Sequence, residues 1–158
     1  MGKTLVAYFS ATGTTAKVAE RLCKATGGQL YQIRPETPYT KADLNWLSKK
    51  SRSSVEMSDP DCRPPLADKL ADVAGSDIIF IGFPIWWYRE PSVIDTFLET
   101  YDFSGKKVIP FATSGSSGLG DTAKRMRTIL GDKVTVDEGK RLNRNVTEQE
   151  LKDWVSKL

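Results

Sequence analysis

Mainly apolar runs and amphipathic stretches follow each other along the chain, and they predict strands and helices in turn. Runs at residues 5–9, 30–33, 77–82, 108–112 and 134–136 predict five short strands, because strands covered on both faces carry few polar positions. Between these runs, apolar residues recur at helical spacing and predict one buried stripe per helix. The stripes are Ala16, Ala19, Leu22 and Cys23; Leu66, Leu70, Val73 and Ala74; Val93, Ile94, Phe97 and Leu98; Ala123, Met126, Ile129 and Leu130; and Leu151, Trp154, Val155 and Leu158.

The alternation of strands and helices predicts an α/β fold with a parallel sheet and helices on both faces. For five strands, the usual order of a doubly wound sheet is 2-1-3-4-5. Thr147 at an N-cap, with Glu150 three residues later, predicts a capping box and a docked C-terminal helix. We expect residues 1–158 to form a single domain.

Two segments carry weaker patterns. Residues 34–65 hold prolines, a helical stretch at 39–50 that contains Trp46, and a polar run, so we expect an excursion over the sheet edge. Trp46 could cap a ligand crevice, but an anchor for this excursion is the favoured interpretation. Residues 137–145 are interpreted as a polar connection before the last helix.

Composition narrows the class of protein. The chain has 158 residues, 39% of them apolar, and its longest apolar run is too short to span a bilayer. With no signal-type N-terminus, we expect a cytoplasmic protein without a membrane segment. The absence of histidine excludes histidine-based triads and metal sites. Cys23 and Cys62 are interpreted as reduced thiols, with a disulfide or a nucleophile as the minority alternative.

Three loops with unusual residues follow the first, third and fourth predicted strands. They are the first loop (residues 10–15), the aromatic loop (residues 84–91) and the glycine loop (residues 113–120). Since parallel strands end at the same sheet edge, where ligands of such folds bind, we expect these loops to converge on one crevice.

The first loop has the composition of a phosphate site. Its hydroxyls, the turn that Gly13 permits and the free amides of a helix start could hold a single phosphate. The spacings GxxxxGK[ST] and GxGxxG are both absent, which argues against a nucleoside triphosphate or a dinucleotide. Ordinary turn and capping chemistry is the alternative for this loop.

The aromatic loop places Trp86, Trp87 and Tyr88 directly after a buried strand, where they could stack on a planar ring. The glycine loop supplies amides and hydroxyls for the edges of such a ring. The alternative is that one tryptophan packs inward and the glycines only relax a turn, and we accept it for one of the two tryptophans. A phosphate site beside a ring site suggests FMN.

The strings SATGTT, PIWWYREP and TSGSSGLG, in this order of elements, resemble the flavodoxin family over nearly the whole chain, and in particular a bacterial subgroup with a PIWW ring-stacking loop. The resemblance implies noncovalent FMN, an electron carrier, and a reductase and an acceptor enzyme as redox partners. The cofactor-binding residues that it implies are Ser10, Ala11, Thr12, Gly13, Thr14, Thr15, Pro84, Ile85, Trp86, Trp87, Tyr88, Thr113, Ser114, Gly115, Ser116 and Gly118.

Two features depart from the electron-shuttle members of that family. Tyr88 stands where those proteins often have glycine, and because tyrosine resists positive φ, strong stabilisation of the one-electron state is in doubt. Those proteins are typically acidic, whereas the net charge here is +3. A basic patch could serve an acidic partner or an anionic substrate, although solvated faces are the commoner reason for such runs. The candidate patch residues are Lys124, Arg125, Arg127, Lys140, Arg141 and Arg144.

Other interpretations stay open. If Arg89 lies close to the flavin ring, it would raise the semiquinone-to-hydroquinone reduction potential of the flavin. The alternative is that Arg89 lies in solvent beside Glu90. The chain could instead be an FMN enzyme that takes hydride from a nicotinamide cofactor and reduces quinones or nitroaromatics, or a binding domain that has lost its cofactor. A receiver domain would need acidic residues after the first strand, and a small phosphatase would need a cysteine in the first loop. We expect no nucleic-acid partner, and a monomer or weak dimer.

Overall fold

Six strands form one parallel sheet in the part of the chain that the computed structural model describes, residues 3–113 and 118–158. The strands are β1 (Thr4–Tyr8), β2 (Gln29–Gln32), β3 (Ile78–Pro84), β4 (Lys107–Thr113), β5 (Thr135–Val136) and β6 (Lys140–Arg141). The helices are α1 (Thr14–Thr26), α2 (Arg52–Ser58), α3 (Ser92–Thr100), α4 (Thr122–Leu130) and α5 (Glu148–Ser156).

The strand order is β2-β1-β3-β4-β5, which confirms the predicted doubly wound topology. Ala7 of β1 pairs with Tyr31 of β2 on one side and with Ile81 of β3 on the other. The order of the strands therefore reverses between β1 and β3, where such sheets leave a crevice at the carboxyl ends.

Both faces of the sheet are covered, as the apolar runs predict. Leu5, Ala7 and Phe9 point to the layer of α3 and α4, and Val6 and Tyr8 point to the layer of α1 and α5. This alternation makes each central strand apolar at nearly every position. The predicted capping box at the start of α5 is confirmed, with Thr147 and Glu150 as its members.

The helix predicted from Leu66, Leu70, Val73 and Ala74 is wrong. Leu70 is 80% exposed, while Val73 is buried against α3 and the sheet. The Asp68 carboxylate accepts from the Leu70 amide at 3.2 Å, and the Asp72 carboxylate accepts from the Gly75 amide at 3.0 Å. These local bonds hold the backbone in turns, in competition with a helical ladder.

The helical stretch expected at residues 39–50 is also a series of turns. Asp43 and Asn45 accept backbone amides of their own neighbours, at 2.9 Å from Thr40 and 3.2 Å from Leu47. Trp46 is 70% exposed, so the expectation that it anchors this segment is wrong. The short α2 follows instead, starting after the Ser51 N-cap.

The edge beside β4 holds two short strands instead of one. β5 pairs with the start of β4, and β6 pairs further along it, with Phe111 opposite Lys140. Gly139, at φ 77°, lies in the interruption between them. The region expected to be only a polar connection therefore runs along β4 to the carboxyl end of the sheet. Among the described residues, no helix is long and apolar enough to cross a membrane.

Candidate functional site

The carboxyl ends of β1, β3 and β4 border a cleft of about 530 Å³. The first loop, the start of the aromatic loop and the start of the glycine loop all contribute to it, so the three predicted loops meet at one place. The segment after β6 forms the remaining wall. The lining residues are Ala11, Thr12, Thr14, Thr15, Pro84, Thr113, Asn143, Arg144 and Asn145.

The first loop is shaped around the Ser10 hydroxyl, which accepts the amides of Gly13 at 3.0 Å and Ala16 at 3.2 Å. Gly13 adopts φ 94°, which glycine reaches without steric cost, and α1 begins directly after it. The first-turn amides of a helix have no intrahelical partner, and Thr14 and Thr15 of that turn line the cleft. The loop therefore presents a helix N-terminus to an anionic group.

Two threonines tie the first loop to the end of β4. The Thr15 and Thr113 hydroxyls lie 2.6 Å apart, and both side chains are buried. A hydrogen bond between two buried hydroxyls satisfies both groups, and it fixes the distance between the start of α1 and the glycine loop.

The aromatic loop contains a tight turn at residues 86–89, here named the aromatic turn. The Trp86 amide donates to the Arg89 carbonyl at 3.0 Å, and the Arg89 amide donates back at 3.2 Å. Between them Trp87 has φ 47° and Tyr88 has φ 67°. The expectation that Tyr88 avoids positive φ is therefore wrong, because this two-residue turn has the φ pattern of type I′, in which both central residues are at positive φ.

The aromatic side chains divide between the core and the surface. Trp86 packs edge-to-face on Phe9 at 5.6 Å and on Tyr39 at 5.3 Å between ring centroids. Trp87 is 42% exposed and Tyr88 is 78% exposed. Trp86 is thus the tryptophan that packs inward. Burial, and then the hydrogen bond to Glu56, raise the pKa of Tyr39, so its hydroxyl stays protonated.

The glycine loop touches the aromatic turn through backbone atoms. Gly120, at φ 57°, lies so close to the Tyr88 carbonyl oxygen that a Cβ at this position would be 2.4 Å from it. Gly118 is exposed. Ser114, Gly115 and Ser116, which the sequence also predicts as site residues, lie outside the described residues.

This combination of sheet order and converging loops agrees with a comparison against protein families, in which the family described as flavodoxin matches residues 3–158. The chain belongs to the flavodoxin family. A comparison with curated protein sequences finds no match.

Several solved structures resemble this flavodoxin. A proposed flavoprotein from Bacteroides eggerthii is 47% identical, with 99% of this chain and 97% of that chain covered and a TM-score of 0.92. A proposed flavoprotein from Bacteroides uniformis is 51% identical, with 98% of each chain covered and a TM-score of 0.90. A Lactobacillus acidophilus flavoprotein, solved in complex with FMN, is 20% identical, with 98% and 99% covered and a TM-score of 0.73.

One wall of this flavodoxin's cleft was missed by reasoning from sequence. Asn143, Arg144 and Asn145 line the cleft after β6. Arg21 of α1 holds this segment in place, since its Nη1 donates to the Arg144 carbonyl at 2.6 Å and to the Val146 carbonyl at 3.2 Å. The sequence signal that could have revealed this wall is the run of polar residues 143–145, which follows the buried Leu142 just after β6.

The cations of this flavodoxin are placed differently from the sequence expectation. Arg89 is not in solvent, because its Nη2 donates to the Met57 carbonyl at 3.1 Å and its side chain is only 12% exposed. Arg125 pairs with the buried Glu90 and Asp95, while Arg127 pairs with Glu138 at 2.7 Å. The prediction of a continuous basic patch is therefore wrong at Arg125 and Arg127, because both side chains form ion pairs.

Proposed function

We propose that this flavodoxin binds one FMN noncovalently in the cleft and carries electrons between redox partner proteins. The observation that carries the proposal is that one cleft joins the N-terminus of α1 to the ends of β3 and β4, from which the aromatic and glycine loops continue. A phosphate and a planar ring need these two surroundings side by side. The FMN complex of the Lactobacillus acidophilus relative supports the choice of ligand.

We assign the phosphate to the first loop. Thr12 and Thr14 offer hydroxyls, and the amides at the start of α1 lie where the helix dipole favours an anion. Arg144 adds a cation on the wall formed by the segment after β6, and its guanidinium could pair with phosphate oxygens. The phosphate is thereby held by fixed backbone groups as well as by charge.

We assign the ring to the aromatic and glycine loops. The Trp86 ring already packs against Phe9 and Tyr39. Trp87, whose side chain is 42% exposed, is therefore the better candidate for stacking on the flavin ring. FMN supplies reversible acceptance of electrons when it is bound. The role of the chain is to orient the ring, to limit water around it, and to leave one edge open to a partner.

The finer attributes follow the same proposal. We infer a single domain, a cytoplasmic location, and a monomer or weak dimer that exchanges electrons with a reductase and an acceptor enzyme. Both cysteines, Cys23 and Cys62, are free, which suits a reducing compartment. The net charge of +3 suits partners with acidic surfaces.

The test is a titration of the purified chain with FMN, followed by flavin absorbance and fluorescence. Saturable 1:1 binding with quenched fluorescence is expected. Trp87→Ala should weaken binding about tenfold, which corresponds to about 1.4 kcal/mol. Trp46→Ala is the matched control, since Trp46 is also an exposed tryptophan but lies in the segment between β2 and α2, outside the three loops. Absence of binding would overturn the proposal.

A kinetic assay separates the carrier from the reductase. Steady-state oxidation of NADPH with a quinone should be negligible for the FMN-loaded chain alone and should appear when a flavodoxin reductase is added. Rapid turnover without any added reductase would reject the carrier role in favour of the reductase.

A further inference from the structure

Two carboxyl groups without solvent exposure lie beside the aromatic turn. Glu90 follows the turn directly and Asp95 lies in the first turn of α3, and both side chains are 0% exposed. Such groups are rarely buried unless they are paired, so their partners decide their charge.

The Arg125 guanidinium holds the two carboxyls next to each other. Its Nε lies 2.9 Å from Glu90 Oε2, and its Nη2 lies 2.8 Å from Asp95 Oδ2. These two nitrogens are neighbours in one planar group, so the carboxyls that they bind are neighbours too.

The remaining two oxygens lack donors. Glu90 Oε1 and Asp95 Oδ1 are buried, and among the described residues neither has a hydrogen-bond donor. If both groups were ionised, two negative charges on one guanidinium would be buried together, each with an oxygen that lacks a donor, which is unfavourable. One proton retained by the pair lowers this cost.

We propose that Glu90 and Asp95 share one proton, and that this singly charged pair is a positioning element that holds the aromatic turn at the flavin cleft. Arg89 connects the pair to the turn, because its Nη1 donates to the Glu90 carbonyl at 3.2 Å and lies 3.6 Å from Asp95 Oδ2. The Arg89 carbonyl accepts from the Trp86 amide and closes the turn. The positioning part rests on the proposed function, whereas the shared proton does not.

Charged groups from each neighbouring element face the pair. Arg89 comes from the aromatic turn, Arg125 from α4, and Arg63, from the segment after α2, lies 3.8 Å from Asp95 Oδ2. Glu99 of α3 binds Arg63 at 3.0 Å and is about half exposed. Outside the pair, Arg63 and Arg125 border a groove with Asp61, Asp121 and Lys124.

Burial outweighs the nearby guanidiniums and favours a retained proton at neutral pH. Burial first, and then the neighbouring Asp95, raise the pKa of Glu90 to about 8, while Arg125 opposes the shift. The folded chain therefore holds one more proton than the unfolded chain between the ordinary value of 4.5 and about 8. Its stability should fall as the pH rises through that window.

The experiment compares three proteins without FMN. Urea unfolding at pH 6, 7, 8 and 9 should show wild-type stability falling with pH. Glu90→Gln removes the titratable carboxyl, so this pH dependence should disappear. Glu36→Gln is the control, since Glu36 is an exposed glutamate in the segment after β2, and it should follow the wild type. Equal slopes for Glu90→Gln and wild type would overturn the shared proton.

A spectroscopic arm covers the case in which Glu90→Gln does not fold. Carboxyl ¹³C NMR of the wild-type chain should show one glutamate titrating near neutral or alkaline pH, and this signal should be absent from Glu90→Asp or perturbed in it. Titration of all glutamates near their ordinary pKa would overturn the shared proton.

The positioning role is tested with FMN. The wild-type Kd should rise about tenfold between pH 7 and pH 9.5 as the proton is lost, which is the limit for a one-unit pKa difference between bound and free protein. Glu90→Gln should change by less than twofold. An identical rise in both would overturn the positioning role, and absence of FMN binding would overturn the proposed function, while either result leaves the proton measurements intact.

Discussion

Replacement of Gly120 by alanine tests whether the contact between the glycine loop and the aromatic turn organises the cleft. A Cβ at Gly120 would lie 2.4 Å from the Tyr88 carbonyl oxygen, while ordinary contact begins at 3.4 Å. The turn or the glycine loop must therefore shift by about an ångström, which typically costs about 1–3 kcal/mol. The φ of 57° at this position adds about 1 kcal/mol for alanine.

The expected result depends on which segment moves to relieve this contact. Tyr88 is 78% exposed, so the aromatic turn can move outward without opening the core. We expect the Gly120→Ala protein to lose about 2–4 kcal/mol of unfolding free energy and to bind FMN about tenfold more weakly. Urea unfolding of the FMN-free chain and fluorescence titration with FMN measure the two effects separately.

Gly105→Ala is the control for backbone strain alone. Gly105 has φ 78°, but nothing lies within 4 Å of a Cβ built there. It precedes β4, at the opposite end of the sheet from the cleft. This variant should lose about 1 kcal/mol of stability and keep the wild-type affinity for FMN. Equal FMN affinities for the two variants would refute the idea that the loop contact positions the site.

Three further substitutions follow from the same geometry. Tyr88→Gly should raise the free energy of unfolding by about 1 kcal/mol, because it removes left-handed strain from an exposed residue; a lower melting temperature would contradict this. Thr113→Val should cost about 1–3 kcal/mol by leaving the Thr15 hydroxyl unpaired, and the double valine variant should cost less than the sum of the two single changes in urea unfolding. Arg144→Ala should weaken FMN about tenfold while riboflavin affinity stays constant, since riboflavin has no phosphate; equal losses for both ligands would remove Arg144 from the phosphate site.

The strand order and the meeting of the loops could be predicted because their signals are local. The apolar runs of β1, β3 and β4 record burial on both faces, and each is followed at once by a loop of unusual composition. The path between β2 and β3 could not be predicted in the same way. Leu66, Leu70 and Val73 have helical spacing, but carboxylates of neighbouring aspartates bind the backbone and override it.

Other parts of the candidate site depend on long-range pairing. Asn143 and Arg144 have no periodic pattern, and they reach the cleft only because β6 pairs with β4. The inward direction of Arg89 likewise depends on residues distant in the sequence, since its guanidinium binds the Met57 carbonyl of α2 and lies near Asp95 of α3. Positive φ at Trp87 and Tyr88 runs against residue preference, so only the closed turn reveals it.

The interrupted strand at the β4 side of the sheet bears on how the protein behaves when it is concentrated. A continuous open edge would expose a row of amides and carbonyls to which a strand from another molecule could add. Here β5 and β6 contain two residues each, the interruption contains Gly139, and β6 consists of Lys140 and Arg141. Short, broken and cationic edges pair poorly with a neighbour, so crowding should not drive sheet extension from this side. The edge that brings Asn143 and Arg144 to the cleft through the pairing of β6 should thus also resist edge-to-edge aggregation.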